Sequence, residues 1–335
     1  HSNASPSKMK TPTIILALLL LAISFSQQES PELKEADDLS ASVVKLFNEK
    51  DFDKALPLAK RALEIRQRLL PRTDPRIASA LSNLASIYSA KRNYGAAKET
   101  VRQLLQVQEE RSGPDDVGLS RTLDRLGLLY LRDGDYTKAE ETYNRSIALK
   151  EKSLKPDDPQ LAQSLEGLAT VYRARKDFDR GAPIYRRALA IYGQASGVNS
   201  PAFQQASLGF ACLGYESGKR DEVKELNEIR KRFSPPDAQV EEAAEANFLN
   251  MKAVKLPPPG YPVNARAQRI SGIVVLKITI DEKGDVIDVR DMCQGPAYIT
   301  PAAIAAARGA WFEPVKVNGR PVKVDGVLVY RFIAQ

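Results

Sequence analysis

Apolar residues recur along the first two thirds of the chain with a step of 42 residues. The recurring positions are Leu84, Leu126, Leu168 and Phe210, each followed by a small residue, and Tyr88, Tyr130 and Tyr172. Within one unit, Leu126 and Tyr130 are four residues apart, as are Ala139 and Tyr143, so each pair lies on one face of a helix. The polar run at residues 132–135 supplies a turn between the two helices. The pattern therefore predicts a repeat whose unit is a pair of helices.

Five such units fit residues 35–233, and the first and last are the least regular. Degenerate ends are expected of a stacked array, because a terminal unit meets water on one face. Asp74, Asp158 and Ser200 each precede a proline at the point where the first helix of a unit should begin. Such residues cap helix N-termini, and proline is tolerated at the first helical position. We therefore predict an all-α array over residues 35–233.

After the array, residues 234–256 form a Pro-bounded acidic segment, which we assign to a linker with a short helix at about 238–251. Residues 257–335 then change to the alternating period of strands. The predicted elements are a strand from Gly272 to Ile280, a turn at 281–285, a second strand around Val286 and Val289, a helix at 302–310 and a last strand at 327–333. A small α+β domain follows from this order.

Residues 1–28 are predicted to be a signal peptide with upstream residues. Lys8 and Lys10 precede an apolar run from Ile14 to Phe25, after which the chain turns polar. A membrane-spanning helix needs about 20 apolar residues, so the shorter run favours cleavage and export. The alternative is that residues 11–25 remain as an uncleaved membrane anchor.

The composition is that of a globular protein with little material for catalysis. Hydrophobic residues make up 43% of the chain and charged residues 27%, which is ordinary usage. One histidine and two cysteines leave too few groups for the common metal sites and catalytic triads. We therefore expect no enzyme, cofactor or metal site. The formal charge of +7 contains no basic block, which argues against a nucleic-acid partner.

The two cysteines, Cys212 and Cys293, lie in different predicted domains. After export they would meet oxidising conditions, in which disulfides form. Nothing in the sequence brings them together, so we favour separate thiols while leaving a disulfide open.

The motif Asp74-Pro75, Leu84-Ala85, Tyr88, Tyr94 and Ala97 recurs as Asp158-Pro159, Leu168-Ala169, Tyr172 and Phe178. By these positions the array resembles tetratricopeptide repeats of the 42-residue kinesin-light-chain type. The resemblance implies a superhelix of about five helix-turn-helix repeats whose concave groove binds a protein or peptide. The polar residues on the groove phase are Ser82, Ser86, Ser89, Arg121, Asp124, Arg125, Arg132, Glu166, Thr170 and Arg173. A solvated polar face is the alternative interpretation of these residues.

A second set of motifs follows in order: Tyr261-Pro262-Val263-Asn264-Ala265, Ser271-Gly272-Ile273-Val274, Ile280-Asp281-Glu282-Lys283-Gly284, Phe312-Glu313-Pro314 and Asn318-Gly319-Arg320-Pro321-Val322. This order resembles the C-terminal domain of the TonB energy-transducer family. It implies a three-stranded antiparallel sheet whose last strand is an edge that pairs with a peptide of an outer-membrane receptor. Here that strand comprises Val327, Leu328, Val329, Tyr330, Arg331 and Phe332. An edge covered by the protein's own linker is the alternative.

These features together predict an exported bacterial adaptor, located in the periplasm or elsewhere in the cell envelope. The groove would bind one protein partner, and the C-terminal domain would bind an envelope or outer-membrane partner by strand addition. The alternative function is a TonB-type energy transducer for outer-membrane transport, anchored in the inner membrane by residues 11–25. The family's transducers carry a histidine in the anchor, whereas the only histidine here is His1, so the adaptor is favoured.

Overall fold

The structure, a computed structural model, describes residues 30–233, 253–317 and 319–334. The predicted signal peptide and the predicted linker helix at 238–251 lie outside these ranges. Within them, each helix is too short or too polar to cross a membrane. The chain divides into two compact units, one up to Asp133 and one from Gly134.

The first unit is helical throughout its described part. Its helices are α1 (Pro31–Asn48), α2 (Phe52–Leu69), α3 (Pro75–Ala90), α4 (Tyr94–Ser112) and α5 (Ser120–Arg132), the last preceded by a single 3-10 turn at Val117–Leu119. The chain becomes helical at Pro31, earlier than the predicted start near residue 35. Ser30 explains the difference, because its hydroxyl accepts a hydrogen bond from the Leu33 N–H at 3.2 Å and Pro31 suits the first helical position.

The second unit continues the helical pattern and ends in a small domain with a sheet. Its helices before the sheet are α6 (Tyr136–Ser153), α7 (Pro159–Ala174), α8 (Phe178–Ser196), α9 (Pro201–Ser217) and α10 (Arg220–Phe233). Asp158 accepts from the Gln160 N–H at 2.8 Å, and Ser200 accepts from the Phe203 N–H at 3.3 Å. The predicted helix caps are therefore present in this unit.

Aromatic residues of the repeat fill the space between helices, as their phase predicts. In the second unit, the ring of Tyr143 lies against Gly167 and the ring of Tyr185 lies against Gly209. A Cβ atom at Gly209 would be 2.6 Å from the Tyr185 hydroxyl oxygen, closer than any real contact. Glycine at this position therefore allows a tyrosine that is almost fully buried to pack against the backbone of the next helix.

The C-terminal domain has one main antiparallel sheet and a helix packed on it. Its elements are β1 (Ala253–Lys255), α11 (Val263–Ala267), β2 (Gly272–Ile280), β3 (Val286–Asp291), α12 (Thr300–Arg308), β4 (Trp311–Phe312), β5 (Lys316–Val317), β6 (Arg320–Pro321) and β7 (Val324–Phe332). The three-stranded sheet has the order β3-β2-β7. β2 and β7 are aligned from the Gly272–Phe332 pair to the Ile280–Val324 pair.

The core of this domain lies between one face of the sheet and α12. Alternate residues of β2, including Val274, Leu276 and Ile278, are fully buried there, as the alternating pattern predicts. The predicted hairpin turn between β2 and β3 is also present. Gly284 has φ of +92°, and a Cβ atom there would lie 2.0 Å from the Phe312 carbonyl oxygen, so only glycine fits this turn.

Candidate interaction surfaces

In the first unit, three of the predicted groove residues lie together. The Arg125 guanidinium donates to the Ser82 carbonyl oxygen at 3.3 Å and to the Ser86 hydroxyl at 3.1 Å. Both acceptors are neutral, and burial lowers the pKa of Arg125 because removal from water disfavours the cation. In the 42-residue register, Val101 corresponds to Tyr143 and Arg125 corresponds to Gly167. The Tyr143 ring packs against Gly167. Because valine replaces that tyrosine in the first unit, glycine is not required at the position of Arg125.

The other predicted residues of the first unit are more scattered. Ser89 donates to the carbonyl oxygen of Ala85 in its own helix at 2.8 Å. Arg121 is exposed and Asp124 is half-buried. Arg132 donates to the Tyr94 hydroxyl at 3.1 Å, so its guanidinium lies over the start of α4.

In the second unit, α7 carries the remaining predicted groove residues. The carboxylate of Glu166 accepts from the Gln205 side-chain amide at 2.9 Å and from the Tyr192 hydroxyl at 3.4 Å. Burial raises the pKa of this carboxyl, although the two hydrogen bonds oppose the shift. The Thr170 hydroxyl lies 3.0 Å from the Tyr185 hydroxyl, which links the groove residue to the packed tyrosine.

Arg173, one turn beyond Thr170, is paired within the protein. Its guanidinium lies 3.1 Å from a carboxylate oxygen of Glu216 on α9. Burial nevertheless raises the pKa of Glu216 above its ordinary value, while the nearby cations Arg173 and Lys176 act in the opposite direction. The α7 and α9 helices therefore present a half-buried charged pair on the face that was predicted to bind a partner.

A disulfide joins the last repeat to the C-terminal domain. The Cα atoms of Cys212 and Cys293 are 5.6 Å apart and the sulfur atoms are bonded, so the expectation of separate thiols is wrong. The sequence did contain one signal: Cys212 stands 42 residues after Thr170, on the groove phase. The sheet face opposite its core packs against the side of α9 that carries Cys212. Val275 and Val327 surround the disulfide there.

A cavity of about 360 Å³ lies beside the disulfide and is shared by the repeats and the C-terminal domain. From the repeats, its lining includes Thr170, Arg173 and Lys176. From the C-terminal domain, residues 271–273 and 293–296 complete it. Sequence reasoning identified Thr170 and Arg173 but missed the second wall, because nothing local indicates that this domain packs against α7 and α9.

The strand predicted to bind a partner, β7, lies at one edge of the sheet. The Val275 carbonyl oxygen accepts from the Met292 N–H at 2.9 Å, so the backbone groups of Val275 face away from β7. Val275 is aligned with Val329, and the two therefore form a non-hydrogen-bonded pair. It follows that Val329 and the alternate residues Val327 and Arg331 direct their backbone N–H and C=O groups outward.

Two side chains of β7 contact the last repeat. Val327 packs in the cluster around the disulfide. The Arg331 guanidinium lies against Gly218, at the C-terminal end of α9, where a cation is favourable. Val329, between them, is 37% exposed. The described residues contain no group of three potential metal ligands.

These surfaces belong to a helical repeat array joined to a small α+β domain. The family model for the tetratricopeptide repeat matches residues 46–110, 76–152 and 118–194. The family model for the Gram-negative bacterial TonB protein C-terminal domain matches residues 257–333. The chain therefore contains tetratricopeptide repeats followed by a TonB-type C-terminal domain, and the predicted fold class is confirmed. No curated protein matches the chain.

Solved structures resemble the repeats. The nearly identical TPR-like repeats of a kinesin light chain from Podosopora anserina match with a TM-score of 0.52 and 19% identity, covering 64% of this chain and 99% of that chain. Aspartyl phosphate phosphatase F from Bacillus subtilis matches with a TM-score of 0.52 and 18% identity, covering 70% of this chain and 59% of that one. At such identities the likeness shows the fold alone. The two families identify the chain as a protein-interaction adaptor in general terms.

Proposed function

We propose that this protein is an exported adaptor of the Gram-negative cell envelope. The repeats bind one protein partner, and the C-terminal domain binds an outer-membrane or other envelope partner by strand addition. The observation that carries the proposal is the outer edge of β7, which pairs only with β2 among the described strands. Its outward N–H and C=O groups are the groups with which an extended peptide pairs.

Export is supported by the buried disulfide. Cys212 and Cys293 are 2% and 7% exposed, and such structural disulfides persist in oxidising compartments rather than in a reducing cytosol. The apolar run at residues 14–25 supplies a route for export. An envelope location also agrees with the Gram-negative family of the C-terminal domain.

Strand addition is tested with two substitutions at one exposed position. Val329→Pro removes an outward N–H, whereas Val329→Ala shortens the same side chain and keeps that N–H. After cross-linking in the native cell envelope, mass spectrometry identifies the proteins attached to residues 320–335. We expect an outer-membrane barrel to be recovered with the parent and with Val329→Ala, and to be lost with Val329→Pro. Equal recovery with both variants would contradict strand addition at this edge.

The same sample separates the adaptor from the anchored transducer. Mass spectrometry of the mature N-terminus would place it near Gln27 if the signal peptide is cleaved. Retention of residues 11–25 together with membrane fractionation would instead favour the energy transducer. If only soluble proteins are recovered, and only on the repeats, the proposed binding of an outer-membrane partner would be wrong.

A further inference from the structure

One face of α7 leads into the cavity shared by the two domains. Glu166, Thr170 and Arg173 are separated by four and three residues, so they lie in line on successive turns. Thr170 and Arg173 line the cavity together with Lys176, which follows the end of the helix. A segment lying along α7 from Glu166 would therefore enter the cavity.

At one end of this line, Glu166 is a half-buried carboxylate with neutral partners. Its contacts are the Gln205 amide at 2.9 Å and the Tyr192 hydroxyl at 3.4 Å; no cation of the described residues pairs with it. Burial raises the pKa of this carboxyl, as expected where no positive charge compensates. A cation supplied by a ligand would offset the cost of burying the charge.

At the other end, Lys176 is an exposed cation. Its amino group forms no ion pair with the residues that the structure describes, whereas Arg173 is paired with Glu216 at 3.1 Å. Lys176 lies near the Glu216 carboxylate without forming an ion pair with it, so it is the cation that can still pair with a ligand at the cavity. The far wall is formed by the C-terminal domain, where Ile273 and Pro296 offer apolar surface for the intervening part of a ligand.

The length of α7 between Glu166 and Ala174, which lines the cavity, matches a short extended peptide. The eight steps of helical rise from Glu166 to Ala174 span about 12 Å at ~1.5 Å per residue. An extended chain covers about 3.3 Å per residue, so roughly four residues of peptide span this distance. A peptide with a basic and an acidic side chain at that separation complements both ends.

We infer that α7 and the cavity bind an extended peptide segment of a partner protein, with a basic side chain at Glu166 and an acidic side chain at Lys176. This inference rests on the proposed binding of a partner by the repeats. It adds that the segment contacts both domains at once, since residues 271–273 and 294–296 line the same cavity. The disulfide between Cys212 and Cys293 keeps the two walls together.

The test uses the purified full chain with its disulfide intact and fluorescent seven-residue peptides. Two peptides carry lysine and aspartate four positions apart, one in each order along the chain. Matched peptides replace the lysine by norleucine or the aspartate by asparagine. We expect one order to bind about ten-fold more tightly than its norleucine counterpart, because the charge of Glu166 is half-buried and has no other cation. The same peptide should bind only a few-fold more tightly than its asparagine counterpart, because Lys176 is exposed.

Two variants assign the charges to their residues. In Glu166→Gln the preference for lysine over norleucine should disappear, and in Lys176→Ala the preference for aspartate over asparagine should disappear. The matched controls Glu282→Gln and Lys60→Ala change exposed residues outside the site and should keep both preferences. Circular dichroism establishes that each variant is folded.

A photoreactive benzophenone at the centre of the preferred peptide tests whether the two domains share the ligand. Cross-links to α7 and to residues 294–296 are expected. Cross-links confined to the repeats, equal binding of charged and neutral peptides, or preferences that persist in Glu166→Gln and Lys176→Ala would each overturn the inference. If peptide binding were lost in Arg125→Gln instead, the repeats would still be a binding surface, but the site inferred at α7 and the cavity would be wrong. The cross-linking result for Val329→Pro in the envelope is independent of all these outcomes.

Discussion

Removing the disulfide between the last repeat and the C-terminal domain should markedly lower the stability of the second unit. The perturbation is the double substitution Cys212→Ala and Cys293→Ala, or reduction of the parent. A cross-link stabilises mainly by restricting the unfolded chain, and its effect grows with the length of the loop that it closes. Here the two cysteines are 81 residues apart.

For that separation, the loop-closure relation gives about 4.5 kcal/mol at 25 °C. Measured effects of disulfides are commonly smaller, so we expect a loss of about 2 to 4.5 kcal/mol in the free energy of unfolding. With a slope of about 2–3 kcal/mol per molar urea, the unfolding midpoint should fall by roughly 1–2 M. Both cysteines are buried with Val275 and Val327, so lost packing acts in the same direction.

The assay is urea unfolding followed by fluorescence of Trp311, the single tryptophan of the chain. The Trp311 indole N–H donates to the Lys283 carbonyl oxygen at 2.9 Å, so its emission reports on the C-terminal domain. The reduced parent and the double alanine variant should unfold at similar urea concentrations, and reductant should not affect the variant. Equal midpoints for the oxidised and reduced parent, or two free thiols in the unreduced protein, would contradict this prediction.

Two further predictions concern packing and burial within the helices. Gly209→Ala should destabilise the protein by about 1–3 kcal/mol, because its methyl group would overlap the buried ring of Tyr185; Gly95→Ala, where nothing lies within 4 Å, should be neutral or stabilising in the same thermal unfolding measurement. Burial raises the folded-state pKa of Glu166, so its contribution to stability is present at acid pH and is lost as the pH rises through that pKa. Glu166→Gln should therefore be more stable than the parent at pH 7, and this advantage should vanish towards pH 4 in urea unfolding. A constant difference between the two proteins across that range would contradict the prediction.

Much of the helical part of this protein could be predicted because its determinants are local. Asp74 and Asp158 begin helices through hydrogen bonds to N–H groups two residues ahead, and the chain needs no distant partner for that. The repeated tyrosines are similar, since Tyr172 is 6% exposed at the position where its phase predicts burial. The predicted start of the first helix, near residue 35, was too late. It was taken from the repeat register of the irregular first unit, whereas the helix begins at Pro31 because Ser30 caps it.

The candidate surfaces were predicted less completely. The 42-residue register placed Ser82, Ser86 and Arg125 on one phase, and Arg125 lies in contact with both serines. It did not reveal that none of the cations in the described ranges pairs with Glu166 while Arg173 has a carboxylate partner, since the contacts of these two residues come from side chains on α8 and α9. The partners of a half-buried charge depend on which rotamers neighbouring helices allow, and the sequence phase does not determine them.

The repeat, its helix pairs and the alternating strands of the C-terminal domain could all be predicted from the amino-acid sequence. These follow from hydrophobic periodicity and from hydrogen bonds within a few residues along the chain. The pairing of Cys212 with Cys293 and the cavity between α7 and the C-terminal domain became visible only in the folded chain. Both depend on how the sheet packs against α9, a contact between residues some 80 positions apart whose energy is spread over apolar surface with no local signature.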